Sequence, residues 1–209
     1  MGDGAGASGD GAPSVAARDD LAGVVDLFEW LTRAELSRAL SELAYKQRAE
    51  VDDEAIAAAI DVAVAEYALV PAPPAALSEA GAGSALGAGS ELGAESVPGA
   101  GSAPGAVAEP TDGADADAIA LAVGPAAFPS LPADAEDLPH ILDVPERDVD
   151  RETLSGAVRE RLSRDAVAAI EAGDAERLEV LADVTYDIEA WAPVDAGDVR
   201  ERIVDELDG

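Results

Sequence analysis

Residues 118–123 read Ala-Ile-Ala-Leu-Ala-Val, an apolar run that decides how the two ends of this chain are related. An earlier apolar run, Tyr67-Ala-Leu-Val70, ends at Pro71, before a long segment rich in small residues. If the two runs pair as strands, everything between them is one enlarged loop inside a single fold. The entropic cost of closing a loop grows only logarithmically with its length, so such a long loop would lower stability only slightly. We expect this pairing; the alternative is two independent units.

The segment between the two runs predicts a linker. From Ser84 it repeats every six residues, as S-A-L-G-A-G, S-E-L-G-A-E, S-V-P-G-A-G and S-A-P-G-A-V. Four such units make little more than one coil of a hexapeptide β-helix, and their apolar position changes from leucine to proline, which cannot donate a ladder hydrogen bond. No Lys-Ser/Thr follows the glycines, as a phosphate loop requires. We therefore predict residues 72–117 as a disordered linker or wing insertion, and residues 1–19 as a disordered tail.

Residues 20–71 predict three helices and a strand. Asp20 is expected to cap the first helix, and Thr32 and Glu35 form a capping-box pattern at the start of the second. Asp52 is expected to cap the third helix, where the acidic residues that follow it suit the positive end of the helix dipole. The apolar stripes are Leu21, Val24, Val25, Phe28 and Leu31 in the first helix, Leu36, Leu40, Leu43 and Ala44 in the second, and Ile56, Ala59, Ile60, Ala63 and Val64 in the third.

This order of elements predicts the fold class. Three short helices followed by a strand are typical of a winged-helix domain, which ends in a β-hairpin called the wing. The expected fold is mainly α with a small β-hairpin: a winged-helix-like part over residues 20–71, the long insertion, and a helical part at the C-terminus.

Residues 118–207 predict a strand, a proline-rich connector and C-terminal helices. Asp150 is expected to cap a long helix that ends at Gly173, in the position of a C-cap glycine. Asp174 is expected to start a shorter helix, and Asp195 to cap the last one.

The few large aromatic residues are the expected anchors of the fold. Buried rings contribute large apolar areas, so Tyr186 and Trp191 are expected to hold the C-terminal part together. Trp30 and Trp191 are also candidate contact points for a protein partner; the alternative is that both simply lie in the core.

The charge is the most unusual property of the composition. The chain of 209 residues has 44 Asp and Glu against 13 Lys and Arg, a net charge of −31, and a single lysine, Lys46. Such a charge repels nucleic acids and anionic lipids and opposes folding unless counterions screen it. At molar salt the Debye length falls to about 3 Å, so the repulsion nearly vanishes. We infer a halophilic archaeon; the alternative is a mesophilic acidic protein.

The compartment and the excluded chemistry follow from the same sequence. The start of the chain lacks a basic segment followed by an apolar one, and no apolar run approaches the roughly 20 residues of a membrane span. Without cysteine there is no disulfide, thiolate zinc site or thiol nucleophile. We expect a cytoplasmic protein that does not bind membranes.

Four segments together resemble an uncharacterised family of haloarchaeal proteins: DLAGVVDLFEWLTRAEL, GPAAFP, LPHILDV and YDIEAWAPV. The resemblance spans residues 20–71 and 118–207 and skips the linker. It implies one structural unit on both sides of the insertion and brings no catalytic residues.

Catalytic and metal-binding signals are weak. His140, the single histidine, lies between Pro139 and Ile141 and is expected to be a half-buried packing residue. No HExxH, EF-hand loop or G-x-S-x-G occurs. Paired carboxylates are too common in this chain to indicate a site. We expect no enzyme activity, cofactor or specific metal.

The expected function is a non-enzymatic interaction or regulatory module with a protein partner. The alternative is an atypical winged-helix regulator that binds nucleic acid, and an enzyme comes third. The third helix, which normally enters the major groove, has no Arg, Lys, Asn or Gln over residues 53–66, which disfavours nucleic acid. The basic residues that could contact phosphates are Arg33, Arg38, Lys46 and Arg48; the alternative is a solvated surface paired with Glu35 and Glu42.

Overall fold

A computed structural model describes residues 15–48, 52–79 and 114–208. The six-residue repeats at residues 84–107, called the hexad tract from here on, lie outside the described residues, so their disorder stays a prediction. The described chain is mainly helical, with small antiparallel sheets. The helices are α1 (Val15–Asp26), α2 (Arg33–Gln47), α3 (Asp53–Ala65), α4 (Ala114–Asp117), α5 (Leu138–Ile141), α6 (Arg151–Ala172), α7 (Ala175–Trp191) and α8 (Gly197–Leu207). In the described ranges, every helix is too short or too polar to cross a membrane.

The first sheet joins the parts of the chain before and after residues 80–113. Its strands β1 (Trp30–Thr32), β2 (Leu69–Pro71) and β4 (Ala120–Val123) lie in the order β1-β4-β2, and both pairings are antiparallel. The pairing of the two apolar runs is therefore confirmed. The strand that follows the hexad tract is also the central strand, so neither part has this sheet without the other.

The second sheet moves the boundary of the predicted linker. Strand β3 (Leu77–Glu79) pairs with β5 (Arg147–Val149). Ala72 and Ala76, which the linker was expected to include, are buried. Residues 72–79 therefore belong to the fold, and α4 continues it from Ala114. The prediction was wrong here because β3 finds its partner about 70 residues away, which no local pattern indicates.

The N-terminal helices follow their predicted caps, except the first. Thr32 and Glu35 form a complete capping box, and the Asp52 carboxylate accepts a hydrogen bond from the Ala55 amide. Asp20, in contrast, lies inside α1, which begins at Val15, so the predicted tail extends too far. The apolar stripe of the first helix is also shorter than predicted, because α1 ends at Asp26 and the last predicted member, Leu31, lies in β1.

The C-terminal helices pack as expected but have different bounds. Asp150 and Asp174 cap α6 and α7, and Gly173 ends α6 with a positive φ of 65°. The helix that begins after Asp174 is longer than predicted, because α7 continues through Trp191. This register leaves Tyr186 58% exposed, so its role as a buried anchor is wrong. The N-cap of α8 is Ala196 rather than Asp195, whose Oδ1 accepts instead from the Gly197 amide.

The hydrophobic core combines both parts of the chain. One cluster packs residues of the first sheet, such as Trp30 and Val70, against Leu162, Leu181 and other residues of α6, α7 and α8. The other fills the space between α1, α2 and α3 and also includes Leu138. The winged-helix resemblance stays a prediction.

Two glycines allow close approaches between these elements. A Cβ on Gly23 would lie 2.0 Å from the carbonyl oxygen of Ser130, where the connector after β4 crosses α1. A Cβ on Gly124 would lie 2.2 Å from the carbonyl oxygen of Tyr67. Both contacts join a residue before the hexad tract to one after it.

Candidate functional site

An apolar groove lies between α1, α2 and α3. Its volume is about 570 Å³. Residues 131–133 of the connector form its fourth side, where Leu131 remains 47% exposed. The lining is apolar except for Asp20 and Gln47: Ala17, Leu21, Leu40, Leu43, Ala44, Ala55, Ile56, Ala59, Leu131, Pro132 and Ala133.

Polar contacts hold the connector against this groove. The Ser130 amide donates to the carbonyl oxygen of Asp19 at 3.0 Å, which fixes the connector to α1. Gln47 Nε2 donates to the carbonyl oxygen of Ala133 at 2.9 Å, and Lys46 Nζ pairs with Asp137 at 2.9 Å. The groove is therefore bounded on four sides.

Carboxylates predominate beside the apolar lining, although two cations, Lys46 and Arg48, flank the lining residue Gln47. Asp20 is part of it, and the exposed residues 52–54 (Asp-Asp-Glu) directly precede the lining residue Ala55. Asp134 follows the lining residue Ala133 and is also exposed. An apolar interior with an acidic rim suits an apolar segment that is flanked by cations.

The four basic residues predicted to contact phosphates divide into two pairs. Arg33 bridges to Asp61 at 2.7 Å and donates to the Ala57 carbonyl, both on α3. Lys46 is held by the connector as described above. Arg38 and Arg48 are exposed, and neither has an ion pair with another described residue. The predicted pairing of this surface with Glu35 and Glu42 is wrong: Glu35 binds Arg147 instead, and Glu42 has no ion pair with another described residue.

Trp30 is a core residue and not an exposed contact point. Its side chain is covered by Arg147, whose guanidinium lies 3.8 Å from the ring centroid. The same guanidinium donates to both carboxylate oxygens of Glu35 at 2.8 Å, to Glu79 Oε1 at 3.0 Å and to the Trp30 carbonyl at 3.1 Å. Burial raises the pKa of Glu35, but hydrogen bonds from Arg147 and Thr32 outweigh it and hold the pKa below its usual value.

Trp191 packs against the C-terminal core, as expected of an anchor residue, whereas His140 differs from its predicted role. Trp191 is partly buried beside the C-terminal core, its Nε1 has no hydrogen-bond partner among the described residues, and Arg151 lies 5.1 Å from its ring. His140 is exposed rather than half-buried, because α5 places it toward solvent next to the buried Leu138.

A second polar cluster surrounds Tyr67, which is fully buried at a φ of 62°. Its hydroxyl donates to Asp165 Oδ2 at 2.7 Å, and burial and this carboxylate raise the pKa of the phenol. Arg161 stacks on the ring at 4.2 Å and donates to the Val64 carbonyl, and Arg177 donates to the Ala65 carbonyl. Cations at the carboxyl end of α3 suit its negative dipole end.

Local sequence patterns do not indicate either Arg147 or the groove. Arg147 is one basic residue among acidic neighbours, and only the β3–β5 pairing brings it to Glu35. The groove needs residues 131–133 to pack across helices that lie about 90 residues earlier. The apolar stripes of α2 and α3 were the available signal, because Leu40, Ala44 and Ala59 belong to them and stay only partly buried.

These features define a mainly α-helical protein in which two small antiparallel sheets join distant parts of the chain and an apolar groove lies between α1, α2 and α3. The chain belongs to DUF7109, a family of unknown function, which matches residues 19–208. Comparisons with curated proteins and with solved structures give no match.

Proposed function

We propose that the protein is a non-enzymatic interaction module that binds an apolar segment of a partner protein in the groove between α1, α2 and α3. The observation that supports this most directly is the groove itself, with its apolar lining, its partly exposed leucine and its rim of carboxylates. Burying a leucine side chain contributes about 1.5–3 kcal/mol, so three apolar anchors contribute roughly 5–9 kcal/mol before the cost of association is subtracted.

The partner segment carries lysine or arginine next to its apolar residues. The chain has a net charge of −31, and the lining adds Asp20 but no cation. Attraction at contact distance, which concentrated salt screens less than long-range attraction, then favours a basic segment and disfavours an acidic one. An amphipathic helix with one apolar face and basic flanks fits these demands.

The test uses two designed peptides of 14 residues that share one leucine face and differ only in their flanks, lysine in one and glutamate in the other. Fluorescence anisotropy should show that the lysine peptide binds more tightly. Replacing Leu131 with Ser should weaken that binding about tenfold, because one apolar contact is lost. Val180→Ser is the matched control, since Val180 is 41% exposed on α7, outside the groove.

Equal affinity for both peptides would contradict the charge argument. Equal weakening by Leu131→Ser and Val180→Ser would contradict the location of the site. A second pair of changes, Asp53→Lys with Glu54→Lys, should selectively weaken the lysine peptide.

Nucleic-acid binding by a winged-helix regulator is less well supported. The exposed face of α3 carries Asp53, Glu54 and Asp61, which would approach phosphates with the wrong charge. Arg33 and Lys46 are already paired within the protein. A gel shift assay at molar KCl tests the alternative, and binding that disappears when Arg38 and Arg48 are replaced with Glu would favour it.

We also propose that the protein works in the salt-rich cytoplasm of a halophilic archaeon. This rests on the net charge of −31 and on the single lysine among 13 basic residues. Carboxylates at this density tolerate each other only where counterions screen them.

A further inference from the structure

A second, smaller cleft lies between β2 and α6, away from the groove. Its volume is about 280 Å³. Residues 70–73 form one wall, and Ala157, Val158, Arg161 and Arg164 of α6 form the other. The lining therefore contains two guanidinium groups and no carboxylate, in a chain where acidic residues outnumber basic ones 44 to 13.

The two arginines are neighbours on one face of α6, three positions apart. Arg164 is exposed and has neither an ion pair nor a hydrogen bond with any other described residue. Arg161 is held by Tyr67 and by the Val64 carbonyl, but its Nη1 is buried without a hydrogen-bond partner in the described chain. Asp165 lies next to Arg164 on α6, but its carboxylate already accepts a hydrogen bond from Tyr67 and forms ion pairs with Arg161 and Arg177. Arg164 therefore brings an unpaired positive charge to the cleft, and Arg161 brings an N–H group without an acceptor among the described residues.

The wall opposite the arginines decides which anion fits. Pro71 and Pro73 have no amide hydrogen, so this wall offers no backbone donor at either position. A phosphate or sulfate, which needs several converging donors, is poorly served there. A planar carboxylate takes paired hydrogen bonds from guanidinium groups, and its apolar body can lie on Val158 and the two prolines.

We propose that this cleft binds a monocarboxylate with a compact apolar body. Its volume is slightly below the usual 300–1,000 Å³ of ligand pockets, which favours a compact body such as a phenyl ring or a valine side chain. The carboxylate lies at Arg164, on the Arg161 side of the cleft. The ligand is either a free organic acid or the C-terminal carboxylate of a peptide that ends in a small apolar residue.

Calorimetric titration distinguishes these two sources with benzoate and N-acetylvaline as probes. Benzamide and N-acetylvaline amide are the neutral controls. We expect at least one acid to bind and its amide to bind at least about tenfold more weakly, since a hydrogen bond to a charged group is lost. Tight binding of benzoate alone indicates a free acid, and tight binding of N-acetylvaline alone indicates a peptide terminus.

The variant Arg164→Gln tests the site itself, because Arg164 is exposed and its loss leaves the core intact. We expect the dissociation constant to rise at least about tenfold. Arg38→Gln is the matched control: it removes one exposed arginine on α2 and should change the constant by less than about twofold, since distant charges are screened. Circular dichroism of both variants confirms that they are folded.

Several results would overturn the proposal: no binding of either acid, equal binding of acid and amide, or equal weakening by Arg164→Gln and Arg38→Gln. The inference is independent of the groove. Arg164→Gln should leave binding of the lysine peptide unchanged, so the two proposals fail separately.

Discussion

Replacing Arg147 with Ala tests the contact that fastens the second sheet to the rest of the fold. The side chain is 4% exposed and binds the carboxylates of Glu35 and Glu79, the carbonyl of Trp30 and the face of its ring. Truncation removes all of these contacts at once. It also leaves two partly buried carboxylates, one on α2 and one on β3, facing each other without a cation.

The expected loss in the free energy of unfolding is about 3–4 kcal/mol. Breaking a buried ion pair by removing one partner costs about 3–5 kcal/mol. Glu35 and Glu79 are 30% and 35% exposed, so water recovers part of their solvation and the lower end of that range applies. Loss of the stacking on Trp30 adds about 1 kcal/mol.

Urea unfolding followed by circular dichroism, at one fixed KCl concentration, measures this loss. Arg147→Lys keeps the charge but not the paired hydrogen bonds, and should lose about half as much. Arg202→Ala is the control, because Arg202 is 45% exposed and lies 3.5 Å from Asp198 on the same helix. That surface pair contributes less than about 1 kcal/mol.

The same variants should differ in their dependence on pH. The folded-state pKa of Glu35 is lowered, so its stabilising contribution is fully present above the unfolded pKa of about 4.3 and is lost as the pH falls through the folded pKa. The difference between the wild type and Arg147→Ala should therefore narrow below about pH 4. A loss below about 1 kcal/mol for Arg147→Ala, or a loss equal to that of Arg202→Ala, would refute the reasoning.

Three further predictions follow from the contacts between distant segments. Gly23→Ala should lower the free energy of unfolding by more than about 2 kcal/mol, because the new Cβ would clash with the Ser130 carbonyl. Gly156→Ala should stabilise α6 slightly, because nothing lies within 4 Å of its Cβ position. Equal effects of the two variants in urea unfolding would contradict this reasoning. Tyr67→Phe should cost about 1–2 kcal/mol by the same assay, and no loss would argue against the bond to Asp165. Cleavage at a protease site placed at residue 95 should leave two fragments that co-elute in gel filtration, because β4 pairs with β1 and β2 across the cut. Separate elution of the fragments would contradict this pairing.

The sequence predicted most helix ends because caps depend on residues next to each other. Thr32, Asp52, Asp150 and Asp174 each act within three residues of their own position, so spacing alone identifies them. Gly173 is equally local, since glycine adopts a positive φ without strain.

The predictions that were wrong concern contacts between distant residues, or turns that no sequence pattern indicates. Phe28 and Leu31 continue the apolar spacing of α1, yet a turn with a positive φ of 65° at Glu29 ends the helix and starts β1. A glutamate gives no signal for that conformation. Tyr186 looked like an anchor because of its residue type, but its position on α7 places the ring under Arg200, at 3.9 Å, at the surface. The groove, Arg147 and the arginine cleft all need strand pairings across the hexad tract.

The placement of the few cations supports the proposal that the protein works in concentrated salt. Arg147, Arg161 and Arg177 each bind residues on the other side of the hexad tract, and each is mostly shielded from solvent. Shielded pairs are screened little, whereas repulsion among exposed carboxylates falls steeply as the Debye length shortens to about 3 Å. Added KCl therefore removes the unfavourable electrostatic energy while sparing the contacts that join the two parts. We expect helicity and stability to rise together with KCl, and full stability in dilute buffer would contradict this account.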